Sequence, residues 1–470
     1  MSQRLAGAFS EDAVRSLSEF LKEPGWLTNL RLKAFGLYSA LPTEKNALYT
    51  KYAEISRFDE SRFGVVAQKS SVDLRSFFKD YLTGRENNIV LQGNETEVHA
   101  ELEPEVAAAG VKLLTISEAL EWNERLVKTV LSERLVKSED DRYAAFTNAF
   151  FNSGTFIYVP KEVRVPKPLR KMLLLRDPTT SIVEQTVVYA EEGSRVVFLE
   201  ELYSATKSPA LVTSAVEVRA NAGARVDFSS VQLLDQESVN LSNRALQAKN
   251  DSKVTFSSVS LGSSVSRSRT NFLLDGRGSE AEGFEIFFTD EKQRYDFETN
   301  LLHNSADSTG STQARGVLKD ESQSIFKGMI RIGPSSKNSR AYLAHHAMIL
   351  DRRAKSDGIP GLDILTNEVK ATHSASVAQI DEEQLFYLMA RGLNADEAKR
   401  MVVLGFFEPV LSRVPIEQTR EGARFMIEGK WEGERRRLVD RETLIALTGE
   451  TTPEVQQTED IFERHYKYRR

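Results

Sequence analysis

With no cysteine in the 470-residue sequence, the side chains best suited to both ligand and proton-transfer chemistry near neutral pH are its six histidines, His99, His303, His345, His346, His373 and His465. The missing cysteine also removes disulfides, thiolate metal ligands and cysteine nucleophiles together. His99, His303 and His465 stand alone in mixed sequence and read as structural or surface residues. His345, His346 and His373 differ, because they lie on strand-like sequence near the end of a long β region. His345 and His373 are 28 residues apart, which matches a repeat described below. That spacing would stack the two imidazoles on adjacent coils, close enough to share a metal or a sulfur species. Two imidazoles without a third protein ligand make a weak metal site.

Other catalytic patterns are missing or explained otherwise. No Gly-x-x-x-x-Gly-Lys-Ser/Thr occurs, so any ATP chemistry belongs to another protein. Gly276-Arg-Gly278 followed by Gly283 has the wrong spacing for a dinucleotide fingerprint and reads as turn glycine. Neither a Gly-x-Ser-x-Gly elbow nor a His-Glu-x-x-His helix is present. Glu200-Glu201 and Asp381-Glu382-Glu383 invite a glycosidase reading, but neighbouring strand residues point to opposite faces, and the second group suits a helix N-terminus. Two alternatives stay open. One is a β-helix enzyme acting on carbohydrate or an acyl acceptor with His345, His346 or His373 as general base; the other is a stand-alone metal-binding protein.

The 62 basic and 68 acidic residues are closely mixed, for a net charge of -6, which leaves no polybasic field for nucleic acid or anionic membrane. No apolar run is long enough for a signal-peptide core or a membrane span, so a cytoplasmic location is expected.

The elements that must position these residues fall into three regions, 1–139, 140–380 and 381–470. From Ser10 to about Arg57 the pattern is helical: Val14, Leu17, Phe20 and Leu21 share a face, Pro24-Gly25 breaks the run, and Leu41-Pro42 ends its resumption. Short strands are expected near 88–91 and 111–115, then a charged helix over 117–137. From 140 onward, short runs rich in Val, Thr, Ser and Phe carry no helical period. Within them Gly193-Ser-Arg-Val-Val-Phe198 recurs as Gly223 to Phe228, Asp251 to Phe256 and Gly278 to Phe284, the phenylalanines 30, 28 and 28 residues apart. Stacked coils need such a period, since each must put like side chains into a shared interior. The expected core is therefore a β-helix with helical caps over its exposed strand edges. At the C-terminal side, Asp381-Glu-Glu-Gln opens a helix whose apolar face is Leu385, Phe386, Leu388 and Met389, and Gly392 fits just past its end. Asn394 or Asp396 starts a second helix with Ala398, Met401, Val402, Gly405 and Phe406 on one face, limited by Pro409 and Pro415. The charged tail beyond Ile416 is expected as a solvated appendage rather than core.

Val369 to Met401, followed by Val402-Val-Leu-Gly-Phe-Phe-Glu-Pro-Val410, resembles the C-terminal signature of the SufB/SufD family, scaffold components of the SUF iron-sulfur cluster assembly system. The resemblance extends to Gly154-Thr-Phe-Ile-Tyr-Val-Pro160 through Pro168-Leu169, to Phe326-Lys-Gly-Met-Ile-Arg-Ile332, and to Trp26-Leu-Thr-Asn-Leu-Arg-Leu-Lys-Ala34. It implies a right-handed parallel β-helix flanked by N-terminal and C-terminal helical regions, and no catalysis by the chain itself. It further implies docking of the SufC ATPase on the C-terminal helices, through Phe386, Arg391, Gly392, Lys399, Arg400 and Phe406. Pairing with a SufB-type subunit or a second copy would use the last β-helix strands. His373 falls on the family's interface histidine, and His345 at or beside a position where SufB carries a cysteine. No cofactor is expected to be tightly bound; a transient iron-sulfur cluster at the subunit interface is the implied cargo. The absence of cysteine, and Ser374 in place of the acidic residue that follows the histidine in SufB, place the chain nearer SufD.

Overall fold

A computed structural model describes residues 3–4, 9–42, 63–67, 73–78, 82, 87–93, 98–175, 180–204 and 210–432. Residues 43–57 of the expected N-terminal helix and the tail after 432 lie outside the described residues. The N-terminal part runs β1 (Gln3–Arg4), α1 (Glu11–Phe20), α2 (Gly25–Ala40), β2 (Gly64–Ala67), α3 (Leu74–Phe77), β3 (Ile89–Gln92) and β4 (Val98–Glu101). It continues with α4 (Pro104–Ala108), β5 (Lys112–Thr115), α5 (Ile116–Ser132) and α6 (Arg142–Phe150). Ser10 caps α1 by accepting from the Ala13 amide, and Thr115 with Glu118 forms a reciprocal capping box on α5. Buried Arg31 joins α2 to α6: it pairs with Glu23 at 2.6 Å, donates to the Ala149 carbonyl and lies 3.5 Å above the Phe151 ring centre.

Helix α6 corrects the expectation of strands from residue 140 onward. Its eight residues from Tyr143 to Phe150 are all buried, so no helical stripe shows in the sequence. Asp141 caps it by accepting from the Tyr143 and Ala144 amides.

From Ser153 the chain winds as a parallel β-solenoid of about seven turns. One sheet carries β6 (Ser153–Val159), β8 (Thr180–Ala190), β10 (Leu211–Ala220), β12 (Val239–Ala248), β14 (Val265–Leu274), β16 (Arg294–His303), β18 (Gln323–Ile332) and β20 (Lys355–Ile364). The facing sheet carries β7 (Leu169–Leu175), β9 (Arg195–Ser204), β11 (Arg225–Leu233), β13 (Lys253–Ser260), β15 (Glu280–Thr289), β17 (Thr309–Leu318), β19 (Ser339–Ile349) and β21 (Val369–Gln379). Each strand pairs in parallel with the strand one coil away, while β3 with β4 and β5 with β6 form antiparallel closures at the N-terminal end. Strands β20 and β21 end the two sheets at the other pole.

The solenoid interior is filled by alternate residues of both sheets, among them Phe198, Phe228, Phe256, Phe272, Phe287, Phe297, Leu301 and Leu343. Phe198 and Phe228 stack with ring centres 5.4 Å apart, and Phe228 and Phe256 are 5.2 Å apart. The turn residues that open these repeats, Gly193, Gly223, Asp251 and Gly278, all hold positive φ near 55–69°.

The fourth repeat is out of phase. The register partner of Phe256 is Gly283, not Phe284. A Cβ on Gly283 would stand 2.9 Å from the Phe272 ring, so a phenylalanine of the opposite sheet fills that level. Phe284 turns outward and joins the cluster under the C-terminal helices.

Two outer faces are covered. The N-terminal helices pack on Val183, Val187, Leu211 and Leu241 of the first sheet. Helices α7 (Glu382–Met389), α8 (Ala395–Leu411) and α9 (Glu417–Glu432) follow β21. Through α8 and α9 the chain returns to cover Val231, Val259, Phe284, Ile286, Phe288 and Val317 of the second sheet. The expectation of a solvated appendage beyond Ile416 is thereby corrected for α9. Ala423 and Ile427 are buried in this cluster, and buried Lys430 donates to the carbonyls of Leu261 and Phe288 and pairs with Asp290 at 3.0 Å.

Candidate functional site

The expected histidines gather at the C-terminal pole but not in the expected stack. His373 stands opposite Leu343 across the β19–β21 ladder, and His345 stands opposite Ala375. The coil here advances by 30 residues rather than 28, so the two histidines lie on diagonal positions of the inward row. His345 is fully buried, its imidazole flat on Phe326 with ring centres 4.6 Å and planes 1° apart. Among the described residues neither ring nitrogen has a hydrogen-bond partner, and burial pushes its pKa down to about 3. His373, one strand further out, is exposed. His346 points to the outer face, where Nδ1 meets Ser376 Oγ at 2.7 Å; burial and the nearby Arg315 charge hold its pKa below the usual histidine range. Among the described residues no three His, Asp or Glu side chains are grouped to hold a metal ion. His345 and His373 are thus two separated imidazoles, one buried and one exposed, too few for a metal site by themselves.

Upstream of His345 the interior is polar along one side. Lys171 lies 3.0 Å from Glu184 and 3.8 Å from Glu200, all three buried. Ser230, Ser258 and Glu285 continue the row of Glu200 across successive coils, ahead of Ala314 and His345. Arg244 reaches the same interior from the facing sheet and donates to Ser268 at 2.6 Å. Burial raises the pKa of Glu285 and of Glu184, the latter against the opposing pull of Lys171. Sequence reading missed this set, whose signal was polar residues at the inward positions of strands otherwise apolar there. Glu201 faces the other way, pairing with Arg170 and accepting from Thr419 at 2.9 Å. The adjacent carboxylates thus serve opposite sides of one strand and cannot act as a glycosidase pair.

The C-terminal helices present a second surface. Asp381 caps α7 through the Glu383 and Gln384 amides, and Asn394 with Glu397 forms a capping box on α8. Gly392, at φ +103°, ends the α7 turn. Helix α7 buries none of its residues: Phe386 is 73% exposed and Tyr387 56%, with Arg391 4.3 Å above the Tyr387 ring centre. Lys399 is exposed and Arg400 sits 3.6 Å from Glu432. The buried face of α8 is Ala398, Val403, Phe407, Val410 and Leu411, a correction to the face expected through Met401 and Gly405, which point to solvent. The helix also runs through Pro409. Phe406 turns toward the solenoid, where Arg315 donates to its carbonyl at 2.7 Å.

Among the described residues the structure is thus a parallel solenoid whose last coil and α7 are exposed, with α8 and α9 docked on one sheet. Two family models match along the chain: "SufBD protein N-terminal region" over residues 18–170 and "SUF system FeS cluster assembly, SufBD core domain" over residues 173–406. The chain is similar to proteins named iron-sulfur cluster assembly SufBD family protein from Staphylococcus haemolyticus and Staphylococcus saprophyticus, at 27% identity. A Staphylococcus aureus relative of the same description is 26% identical. Each alignment covers 88% of this chain and 91% of the relative. The chain belongs to the SufBD family of iron-sulfur cluster assembly proteins. Among the described residues no helix is long and apolar enough to cross a membrane.

Proposed function

We propose that the chain is a cytoplasmic, non-catalytic scaffold subunit, closer to SufD than to SufB, that docks a SufC-type ATPase on α7 and α8. It pairs through β20 and β21 with a SufB-type subunit or a second copy of itself. The observation that carries the docking reading is α7, an eight-residue helix with no buried residue and with Phe386, Tyr387 and Met389 all exposed. So much apolar surface on one short helix marks an interaction site. Pairing is supported by the terminal coil, where Leu362, Ile364, Leu365 and Val377 are exposed beside the unpaired edges of both sheets.

In this reading an iron-sulfur cluster is cargo held transiently at the interface. His373 offers it one exposed imidazole, and the remaining ligands come from the partner, because this chain has no cysteine. His345 contributes only when the terminal coil rearranges enough to uncover it. ATP-driven closure of the ATPase biases the interface between two states. Charge reversal at Arg391, Lys399 and Arg400, followed by pull-down with the SufC-type ATPase, tests the docking surface. Loss of association is the expected result; unchanged association counts against the surface.

A further inference from the structure

Helix α8 rests on β13, β15 and β17, whereas His373 lies on β21, two strands beyond β17. A movement of α8 reaches the edge strand along the chain through α7 and across the backbone ladder, and side chains that bridge β17, β19 and β21 offer a further route. One row of side chains spans these strands on the outer face of the sheet, hydrogen-bonded at each end, with Arg315 and His346 side by side as register neighbours between. Arg315 of β17 donates from its guanidinium to the Phe406 carbonyl of α8 at 2.7 Å and lies 5.2 Å from the Phe406 ring centre. His346 of β19 is the register partner of Arg315, and Ser376 of β21 is the register partner of His346. The imidazole closes the row with its 2.7 Å contact to the Ser376 hydroxyl.

We infer that Arg315, His346 and Ser376 are positioning residues forming a strut that sets the register and order of β21, and with it His373, according to the position of α8. The two end groups explain why these residue types are used. A planar guanidinium can hold a helix carbonyl while lying against an aromatic ring, which an ammonium does less well. An imidazole presents ring nitrogens that can meet a serine hydroxyl as donor or acceptor, as the 2.7 Å contact requires. Ser376 is three residues from His373 on an edge strand whose ladder runs to β19 alone, so a side-chain restraint there adds to a strand paired on one side only. The functional meaning of the strut rests on the docking reading above; its existence does not.

Hydrogen exchange of the full chain alone, followed by mass spectrometry, tests it. Coupled sites differ by at least about fivefold. Arg315→Ala and His346→Phe are expected to speed exchange over residues 369–379 by at least that factor, with Arg315→Lys recovering part of the protection. Reciprocity requires Ser376→Ala, a change at an exposed site, to speed exchange over residues 395–411. Arg413→Ala is the comparator: Arg413 anchors the far end of α8, 3.5 Å above the Phe284 ring centre and 3.8 Å from Glu282, both on β15. It should loosen α8 and leave 369–379 at the parent rate. The strut is overturned if Arg315→Ala leaves 369–379 unchanged, if Arg413→Ala speeds that segment equally, or if Ser376→Ala leaves 395–411 unchanged. No partner is present in this measurement, so a failed strut leaves docking untouched and failed docking leaves the strut untouched.

Discussion

The imidazole of His345 lies parallel to the ring of Phe326, 4.6 Å between centres, and both of its nitrogens are without partners among the described residues. Such a site tolerates only the neutral ring, and the fold carries that constraint into its response to acid. In the unfolded chain a histidine titrates near pH 6.5, whereas burial holds His345 down to about 3 and His303 to about 4. The unfolded state therefore binds the protons first. Stability from these groups is fully present above pH 6.5 and is lost as the pH falls from there toward 3–4. Between pH 7 and pH 5 each group should cost about 2 kcal/mol. Urea titrations of parent and His345→Phe at both pH values measure it: the variant should lose about half of this acid sensitivity, and an unchanged acid slope would remove His345 from the explanation.

Lys171 is the ammonium nearest two buried carboxylates inside the solenoid, and its removal takes away the charge that Glu184 pairs with. Lys171→Met should destabilise the chain by about 3–5 kcal/mol in urea unfolding at neutral pH. Removing the charges together, as Lys171→Met with Glu184→Leu and Glu200→Met, should restore most of that stability. If the single variant is as stable as the parent, the three side chains do not form the buried set described above.

Phe228 has a ring on each side of it in the interior ladder. Phe228→Ala should cost about 3–5 kcal/mol, because the coils above and below cannot close the gap without shifting their own register. Phe284→Ala acts elsewhere, under Arg413 and α8, and should selectively loosen the C-terminal helices. Exchange over 395–411 separates the two: Phe284→Ala raises it at unchanged solenoid protection, and equal effects of both variants would contradict the outward placement of Phe284.

The solenoid was legible because its interior repeats. A turn residue at positive φ followed five residues later by phenylalanine marks Gly193, Gly223 and Asp251, and the chain folds each into the same level. The pattern misled where a side chain from the facing sheet supplied the volume: at Gly283 the filler is Phe272, which no periodicity within β15 reveals. The same limit applies to His345 and His373. Coil length varies between turns, and 30 residues separate the true partners where 28 were expected. Caps at Asp381 and Asn394 are short-range signals and were readable. Burial of α6 and docking of α9 were not, since a helix buried all round shows no stripe and a buried lysine looks like a solvated one. Lys430 is that case, its charge satisfied by carbonyls more than a hundred residues away in sequence.

The most direct measurement is isolation of the tagged chain from its own cells, with the co-purifying subunits identified by mass, beside a Phe386→Ala/Tyr387→Ala variant. Both positions are exposed, so the variant should match the parent in stability to within about 0.5 kcal/mol. The parent should bring down a SufC-type ATPase together with a SufB-type subunit or a second copy of this chain, and the variant should keep the paired subunit while losing the ATPase. A parent chain that isolates alone, or a variant that retains the ATPase in full, would contradict the account.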